Sequence, residues 1–401
     1  MNEATTAWIL TSTALVLFMT LPGLALFYAG LVRSKNVLSV LAQCFGIACI
    51  ASIVWIVCGY SIAFNGDGEY FGNLDKLFLN GVSLDSLSGD IPETLFVMFQ
   101  MTFAIITPAL IVGAYVERIK FISVMMITIL WLIIVYAPVT HWIWGGGWLA
   151  NMGVLDFAGG LVVHTTAGVS ALVIVYYLGS RNGFPNQVQP PHSPVLAMIG
   201  AAMLWIGWFG FNAGSAIGAN ANAAMAMLVT HISAAVATIT WMFMDISRNG
   251  KPGLVGMITG MVAGLATVTP ASGFIGPTGA IILGISSGII CYIAVGFIKN
   301  KLNLDDSLDV FAVHGVGGII GTMLAGVLAA EQFGGLGLET SVGEQTYIQF
   351  VGVISVALYT LIATIIITSV VRAIFGLRID GVEEDGDGVD VNTHGESGYN
   401  L

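Results

Sequence analysis

Two histidines in the middle of long apolar stretches, His164 and His314, are the residues of this chain best placed to do chemistry. They occupy related phrases, Val163-His164-Thr165-Thr166-Ala167-Gly168 and Val313-His314-Gly315-Val316-Gly317-Gly318. A neutral imidazole accepts a proton at one nitrogen and donates at the other. An ionisable group at membrane depth is costly unless it faces a cavity, a partner or a substrate path. Two such groups in matching phrases point to one shared site built from two copies of a unit, and so to a channel or transporter with a histidine pair in its pore. Two other readings stand beside this one: a pair of satisfied core histidines, and a metal site. The metal reading has neither a His-Glu-x-x-His helix nor a third ligand at metal-site spacing behind it.

The elements that must position the pair are spans. Of 401 residues only 9% are charged while 56% are hydrophobic, and the mean hydropathy is +0.90. Soluble domains carry about 25% charge, so this chain could not cover a water-facing surface. The net charge of −11 comes from acids in loops and the tail, and no basic patch for nucleic acid is present. Cys44, Cys49, Cys58 and Cys291 all lie in apolar runs, as small buried hydrophobes do, and form no disulfide framework. Eleven apolar stretches reach the roughly 17–25 residues that a bilayer requires. They lie near 8–32, 39–64, 92–116, 121–140, 157–178, 194–215, 221–244, 253–270, 277–298, 309–329 and 346–374. The first lacks a basic n-region and a small-residue cleavage site, so it reads as a retained helix. With eleven alternating spans, 11 of the 12 Lys and Arg fall on one side and only Lys76 on the other. That puts the N-terminus outside and the C-terminus in the cytoplasm.

The stretches also repeat. Gly23-x-x-x-Phe27-x-Ala29-Gly30 in the first returns as Gly207-x-x-x-Phe211-x-Ala213-Gly214 in the sixth, and the histidine phrases fall in the fifth and tenth. Stretches 1 to 5 therefore read as repeated in 6 to 10, with the eleventh left over. An odd number of spans per unit sends the copies into the membrane in opposite directions, which places a site near the midplane between the halves.

Longer phrases carry a family resemblance. Asp156-Phe-Ala-Gly-Gly160-Leu-Val-Val-His164, Trp205-Ile-Gly-Trp208-Phe-Gly-Phe211-Asn212-Ala-Gly-Ser215 and Asp309-Val-Phe-Ala-Val-His314-Gly-Val-Gly-Gly resemble the ammonium transporter (Amt/Mep/Rh) family. Trp144-Gly145-Gly146-Gly147, Gly376-Leu-Arg378 and Val391-Asn-Thr-His-Gly-Glu-Ser-Gly-Tyr399 extend the likeness over the whole chain, and Asn212-Ala-Gly-Ser215 is similar to the bacterial and archaeal Amt branch. The resemblance implies an all-α polytopic subunit of eleven transmembrane helices. Helices 1–5 and 6–10 would form the inverted repeat and helix 11 would be peripheral. The implied membrane domain covers 1–375 (halves 1–178 and 194–329, helix 11 at 346–374), followed by a cytoplasmic tail at 376–401. It further implies a homotrimer in the cell inner (plasma) membrane with one pore per subunit, no cofactor, no metal and no enzymatic activity. Trp144, Phe103 and Ser215 would form the outer ammonium site, with Phe103 and Phe211 stacked beneath it as a gate. His164 and His314 would line the narrow pore together with Trp208, Phe27 would lie toward the inner exit, and Asp156 would support the outer site from beneath.

The chemistry of the residues fits those roles. Ammonium is the size of potassium but has four N–H donors and can lose a proton. An aromatic face attracts such a cation by about 2 kcal/mol when desolvated, and a hydroxyl can accept one of its N–H groups. A bare cation in an apolar bore costs several kcal/mol, whereas neutral ammonia can pass, so deprotonation at the gate would act as the selectivity filter. The histidine pair allows either neutral transport or ammonia plus a separately relayed proton. Without the resemblance, Trp144 reads as an interfacial belt residue, Phe103 and Phe211 as core aromatics, and Asp156 as a helix N-cap. Asp309 is only an approximate counterpart of Asp156, five residues before its histidine where Asp156 is eight. His141, His192, His231 and His394 read as structural. The tail composition, with seven acids from Asp380 to Glu396, reads as a disordered solvated segment. The resemblance implies instead that it packs on the cytoplasmic faces of neighbouring subunits and is met by a PII signalling protein. An ammonium sensor using the same site is the alternative function, and no signalling domain follows within the 401 residues to support it. No serine–histidine, paired-aspartate or zinc motif supports an intramembrane enzyme, and no Asn-Pro-Ala pair supports a water or glycerol channel.

Overall fold

The computed structural model describes residues 1–381 and 386–399; of the expected tail, residues 382–385 and 400–401 lie outside the described residues. Each apolar stretch becomes a helical segment: α1 (Glu3–Leu31), α2 (Ser34–Phe64), α3 (Glu93–Tyr115), α4 (Phe121–Asn151), α5 (Gly160–Leu178), α6 (Pro194–Gly214), α7 (Ala221–Asn249), α8 (Leu254–Val268), α9 (Pro277–Asn300), α10 (Phe311–Leu328) and α11 (Val342–Phe375). Ten of these, among the described residues, are long and apolar enough to cross a membrane; the other, α8, has 15 residues. α4 runs on past residue 140 to Asn151, with a break at Gly145–Gly147 that leaves Trp144 at the end of its long arm. α5 and α10 begin later than the apolar pattern, at Gly160 and Phe311, because the residues just before them are loops that cap them.

Membrane helices gain nothing from burying one apolar surface against another in lipid, so close packing and small residues decide where they meet. α1 and α6 meet closely at glycines: a Cβ on Gly200 would lie 2.2 Å from the Phe27 amide nitrogen, and one on Gly30 would lie 2.4 Å from that of Ala197. α5 and α10 cross reciprocally at the centre. A Cβ on Gly168 would lie 2.3 Å from the Gly315 Cα, and one on Gly318 would lie 2.5 Å from the Gly160 carbonyl oxygen. Gly168 and Gly318 each follow their histidine by four residues. The two histidine units thus press the same part of each against the other.

α11 holds this crossing from outside. The buried Gln349 receives the Leu155 amide at 2.7 Å and donates to the Leu155 carbonyl at 2.7 Å, and Gln345 donates to the Gly153 carbonyl at 2.8 Å. Two buried carboxamides therefore clamp the loop that leads into α5.

The tail departs from the disordered reading. Its start is clipped by the α3–α4 loop, where Lys120 donates its amide to Leu377 at 2.8 Å and Ser123 donates to the Gly376 carbonyl at 2.7 Å. Farther on, the Asp390 carboxylate accepts from the Leu38 and Ser39 amides at 2.9 and 2.7 Å, capping the start of α2 from a distant part of the chain. An anion against free helix N–H groups satisfies donors that composition alone does not reveal.

Gly168→Val would drive a branched side chain into the Gly315 backbone and force α5 from α10. Overpacking costs about 1–3 kcal/mol even where side chains can yield, so a lower thermal midpoint and less monodisperse detergent-extracted protein are expected. Gly343→Val, with nothing within 4 Å of its added Cβ, is the control and leaves both unchanged.

Candidate pore site

α5 starts in the protein interior, where water cannot serve its first amides, and the Asp156 carboxylate takes that role. It accepts from Gly159, Gly160, Leu161 and Val162 at 2.9, 2.5, 2.8 and 3.1 Å. Burial raises this carboxyl above its ordinary value, and the four amide donors oppose that by favouring the anion. The backbone carbonyl of the same residue accepts the Trp144 indole N–H at 2.8 Å. One aspartate thus fixes both the start of the first histidine helix and the ring at the end of the α4 arm.

α10 starts the same way, but the capping residue is Asp306. Its carboxylate accepts from Val310 and Phe311 at 3.0 and 2.7 Å. Asp306 lies eight residues before His314, the offset of Asp156 from His164, so the counterpart is this residue. Asp309 instead pairs with Lys299 at 2.7 Å. The signal was present in the spacing and was hidden because three aspartates occur within five residues. Burial and then the nearby Asp309 push the Asp306 carboxyl up to about 6.

Each helix opens with a wide π-helical turn containing its histidine, Gly160–Thr165 and Phe311–Gly315, a local geometry that recurs at functional sites. The rings of His164 and His314 lie nearly parallel at 16°, with Nδ1 facing Nδ1 at 3.2 Å. One Nδ1 must donate and the other accept, so the outer edges of the pair have opposite character: one Nε2 accepts and the other donates. His164 Nε2 is buried with no partner in the protein.

From His164 an aromatic column leads to one cavity. Trp208 stacks on the ring at 5.6 Å and is held by its indole N–H to Thr269 at 2.9 Å. Phe211 lies 6.2 Å from His164 and 4.3 Å from Phe103, and Phe103 meets Trp144 edge to face at 5.7 Å. Phe103, Phe211 and Trp208 are each 1% exposed, which closes the column to solvent. Beyond it, Phe103, Trp144 and Ser215 line a cavity of about 180 Å³. A second cavity, of about 330 Å³, reaches His314 from the other side and is lined by Phe27 and Val313 near the ring and by Arg181, Lys299 and Asp309 farther out. The structure brings together Trp144, Phe103, Phe211, Trp208, His164 and His314 in one column, sets Ser215 in the first cavity and Phe27 in the second, and keeps Asp156 behind Trp144.

The other four histidines lie elsewhere. His141 is buried between the Ala63 and Gly68 carbonyls at 3.0 and 2.6 Å, and His192 joins the Val32 carbonyl to the Tyr399 hydroxyl. His231 lies against Trp205, and His394 against Phe121. Among the described residues no cluster of three or more His, Cys, Asp or Glu could hold a metal ion.

Such a column, closed by aromatics and crossed by a hydrogen-bonded imidazole pair, suits a small solute that sheds its charge. The model of the Ammonium Transporter Family matches residues 7–399. This chain belongs to that family. It is 45% identical to an ammonium transporter of Aquifex aeolicus, over all of this chain and 94% of the relative. It is 44% identical to ammonium transporter Amt1 of Archaeoglobus fulgidus, over the full length of both. Among solved structures, Candida albicans Mep2 superposes with a TM-score of 0.90 at 33% identity, covering 100% of this chain and 94% of that one. A Sensor Amt Protein also gives 0.90, at 30% identity and 98% coverage of each. The family supports ammonium as the transported species, and the apolar helices make the chain a multi-pass membrane protein.

Asp156→Ala leaves four amides at the start of α5 without their acceptor. At about 1–3 kcal/mol for a buried group left unpaired, a loss of at least about 2 kcal/mol is expected, read as a drop in thermal midpoint, with quenching of Trp144 fluorescence changed as its anchor shifts. Asp306 supplies a pH test. Its folded-state value, about 6, lies above the ordinary 3.8, so its stabilising contribution is full below about pH 4 and is lost as pH rises through 6. Subtracting the midpoint-versus-pH curve of Asp306→Asn from that of the parent should leave a difference falling from pH 4 to 6.5 and flat above.

Proposed function

We propose that this protein is an ammonium transporter that recruits NH4+ at an outer aromatic site, strips its proton and conducts NH3 through the twin-histidine bore. The observation that carries the reading is the Nδ1–Nδ1 hydrogen bond of 3.2 Å between two buried imidazoles lying between two cavities. Trp144, Phe103 and Ser215 form the outer site. The indole and phenyl faces attract the cation, and the Ser215 oxygen accepts one N–H, its own proton being given to the Phe211 carbonyl at 2.8 Å. Phe103 and Phe211 are the gate that a hydrated ion does not pass. Ammonia freed there, its proton returned to water of the outer cavity or passed to the imidazole pair, meets His164 and His314, hydrogen-bonds to whichever Nε2 suits it, and leaves past Phe27. A proton accepted at one outer edge and released at the other reverses both tautomers, so the pair can also relay the proton that was removed. Asp156 acts from behind, through the Trp144 anchor and the start of α5.

The sidedness follows from charge. Arg181 and Lys299 line the second cavity, and eleven alternating spans, α1 to α11, put 11 of 12 basic residues on that side, which is then the cytoplasmic one. This sets the N-terminus outside, makes α1–α5 and α6–α10 an inverted repeat and leaves α11 peripheral, in a homotrimer of the plasma membrane. The folded tail offers a cytoplasmic surface to neighbouring subunits and to a PII-type protein.

The sensor reading rests on the likeness to a Sensor Amt Protein, and one experiment separates it. Purified protein in proteoliposomes is given a rapid ammonium jump, with sodium and potassium jumps as controls, while current and internal pH are recorded. A saturating ammonium-specific current supports transport with a relayed proton, and alkalinisation above empty liposomes without current supports neutral ammonia flux. Ammonium binding with neither signal moves the protein to the sensor class. His164→Ala and His314→Ala should each remove the current; unchanged current and pH dependence in both would refute the relay.

A further inference from the structure

The outer cavity contains a second polar side chain besides Ser215. Gln100 lines it beside Phe103 and Trp144, one turn before Phe103 on α3, so the two project on the same helix face. It is 8% exposed, and its carboxamide oxygen has no hydrogen-bond partner within the protein. A buried carbonyl oxygen left unpaired loses its hydration without compensation. Such a group is retained where a ligand brings the missing donor.

We infer that Gln100 is a specificity-determining residue of the outer site, its Oε1 accepting one N–H of the ion held against Trp144 and Phe103. The inference rests on the outer-site reading above. Ser215 and Gln100 then supply two oxygen acceptors, while the perpendicular rings of Phe103 and Trp144, 85° apart, supply two aromatic walls. The ligand class is a small ammonium ion with at least two free N–H groups. The parent ion has four equivalent tetrahedral donors, any two of which can serve the two oxygens. An N-methyl group removes a donor and must be steered away from both acceptors, so the second acceptor sharpens the preference for ammonium over methylammonium.

The test uses full-length protein in proteoliposomes carrying Gln100→Leu, Gln100→Met or Gln100→Glu, with Trp144→Leu in parallel. Half-saturating concentrations of ammonium and of methylammonium are measured beside the thermal midpoint. Gln100→Leu and Gln100→Met should raise the ammonium value about tenfold, as the loss of one hydrogen bond to a cation implies, with maximal flux kept. The methylammonium value should rise less, so the preference falls. Gln100→Glu retains an acceptor oxygen and should return the ammonium value to that of the parent or below. Because the apolar variants remove an unpaired buried group, their midpoints should stay level or rise, which a packing role would not produce. If Trp144→Leu raises the ammonium value and the apolar Gln100 variants do not, Gln100 reads no N–H and the inference falls alone. If neither changes it, the outer-site reading falls and takes the inference with it.

Discussion

A helix that begins inside a membrane protein must satisfy its first amides without water, and everything at the centre of this subunit depends on how that is done. An unsatisfied backbone group in an apolar medium costs several kcal/mol, and α5 would otherwise present four. The Asp156 carboxylate accepts them, and Asp306 performs the shorter version at α10. Because each cap lies eight residues before a histidine, the two imidazoles are set at the same height on their helices. The reciprocal glycine contacts, Gly168 on Gly315 and Gly318 on Gly160, then bring the helices close enough for the ring nitrogens to meet. A Cβ at either crossing would separate the hydrogen-bonded pair.

The same aspartate that caps α5 holds Trp144 through its carbonyl, so the aromatic wall of the first cavity and the imidazoles below it share one anchor. In the proposed function this ties the cation site to the geometry of the bore. An aromatic cavity would attract potassium as readily as ammonium. In the proposed function, what lies beneath it, a stack of Phe103 on Phe211 and then two hydrogen-bonded imidazoles, favours a solute able to leave its charge behind. On that proposal attraction and selection are separate along the column, and both trace to residues carried by α3, α4, α5, α6 and α10.

Much of this was legible from the residues. The positions of the helices follow from the long apolar runs, since an unbroken apolar run of spanning length satisfies its own backbone in lipid as a helix, and the paired histidine phrases identified the two central helices. What escaped was set by contacts between distant parts of the chain. Asp306 was masked by its neighbour Asp309, because the spacing in a loop is ambiguous until the loop is folded. Gln345 and Gln349, near the start of α11, are both buried and clamp the loop at 153–155, which nothing in their sequence surroundings marks. Gln100 is one polar residue in an apolar helix, and only the cavity gives it meaning. The tail reads as disordered from its acids and glycines, but Asp390 finds the free amides of α2 more than 350 positions away in the chain.

The basic end of the bundle adds a constraint of another kind. Glu117 accepts from Arg33 at 3.1 Å and Arg181 at 3.3 Å; Arg181 also reaches Asp305 at 2.9 Å, and the fully buried Arg118 donates to Ser307 at 2.6 Å and to the Asp305 carbonyl at 2.6 Å. Burial raises the Glu117 and Asp305 carboxyls on its own, but the arginines beside them more than offset it and hold both below the usual carboxylate range. Burial also brings the Arg118 guanidinium down to about 10, still charged at neutral pH. Pairs of this kind add little net stability, since desolvation consumes most of the Coulombic gain, and removing one partner is far more damaging than never having built the pair. Their effect is registration. Arg118 links the α3–α4 loop to Asp305 and Ser307, on either side of the Asp306 cap. Glu117 ties the same loop to Asn36 at 2.9 Å, and Asn36 accepts the Val389 amide at 3.0 Å. The tail, the start of α2 and the cap of α10 are therefore joined by one chain of hydrogen bonds and ion pairs.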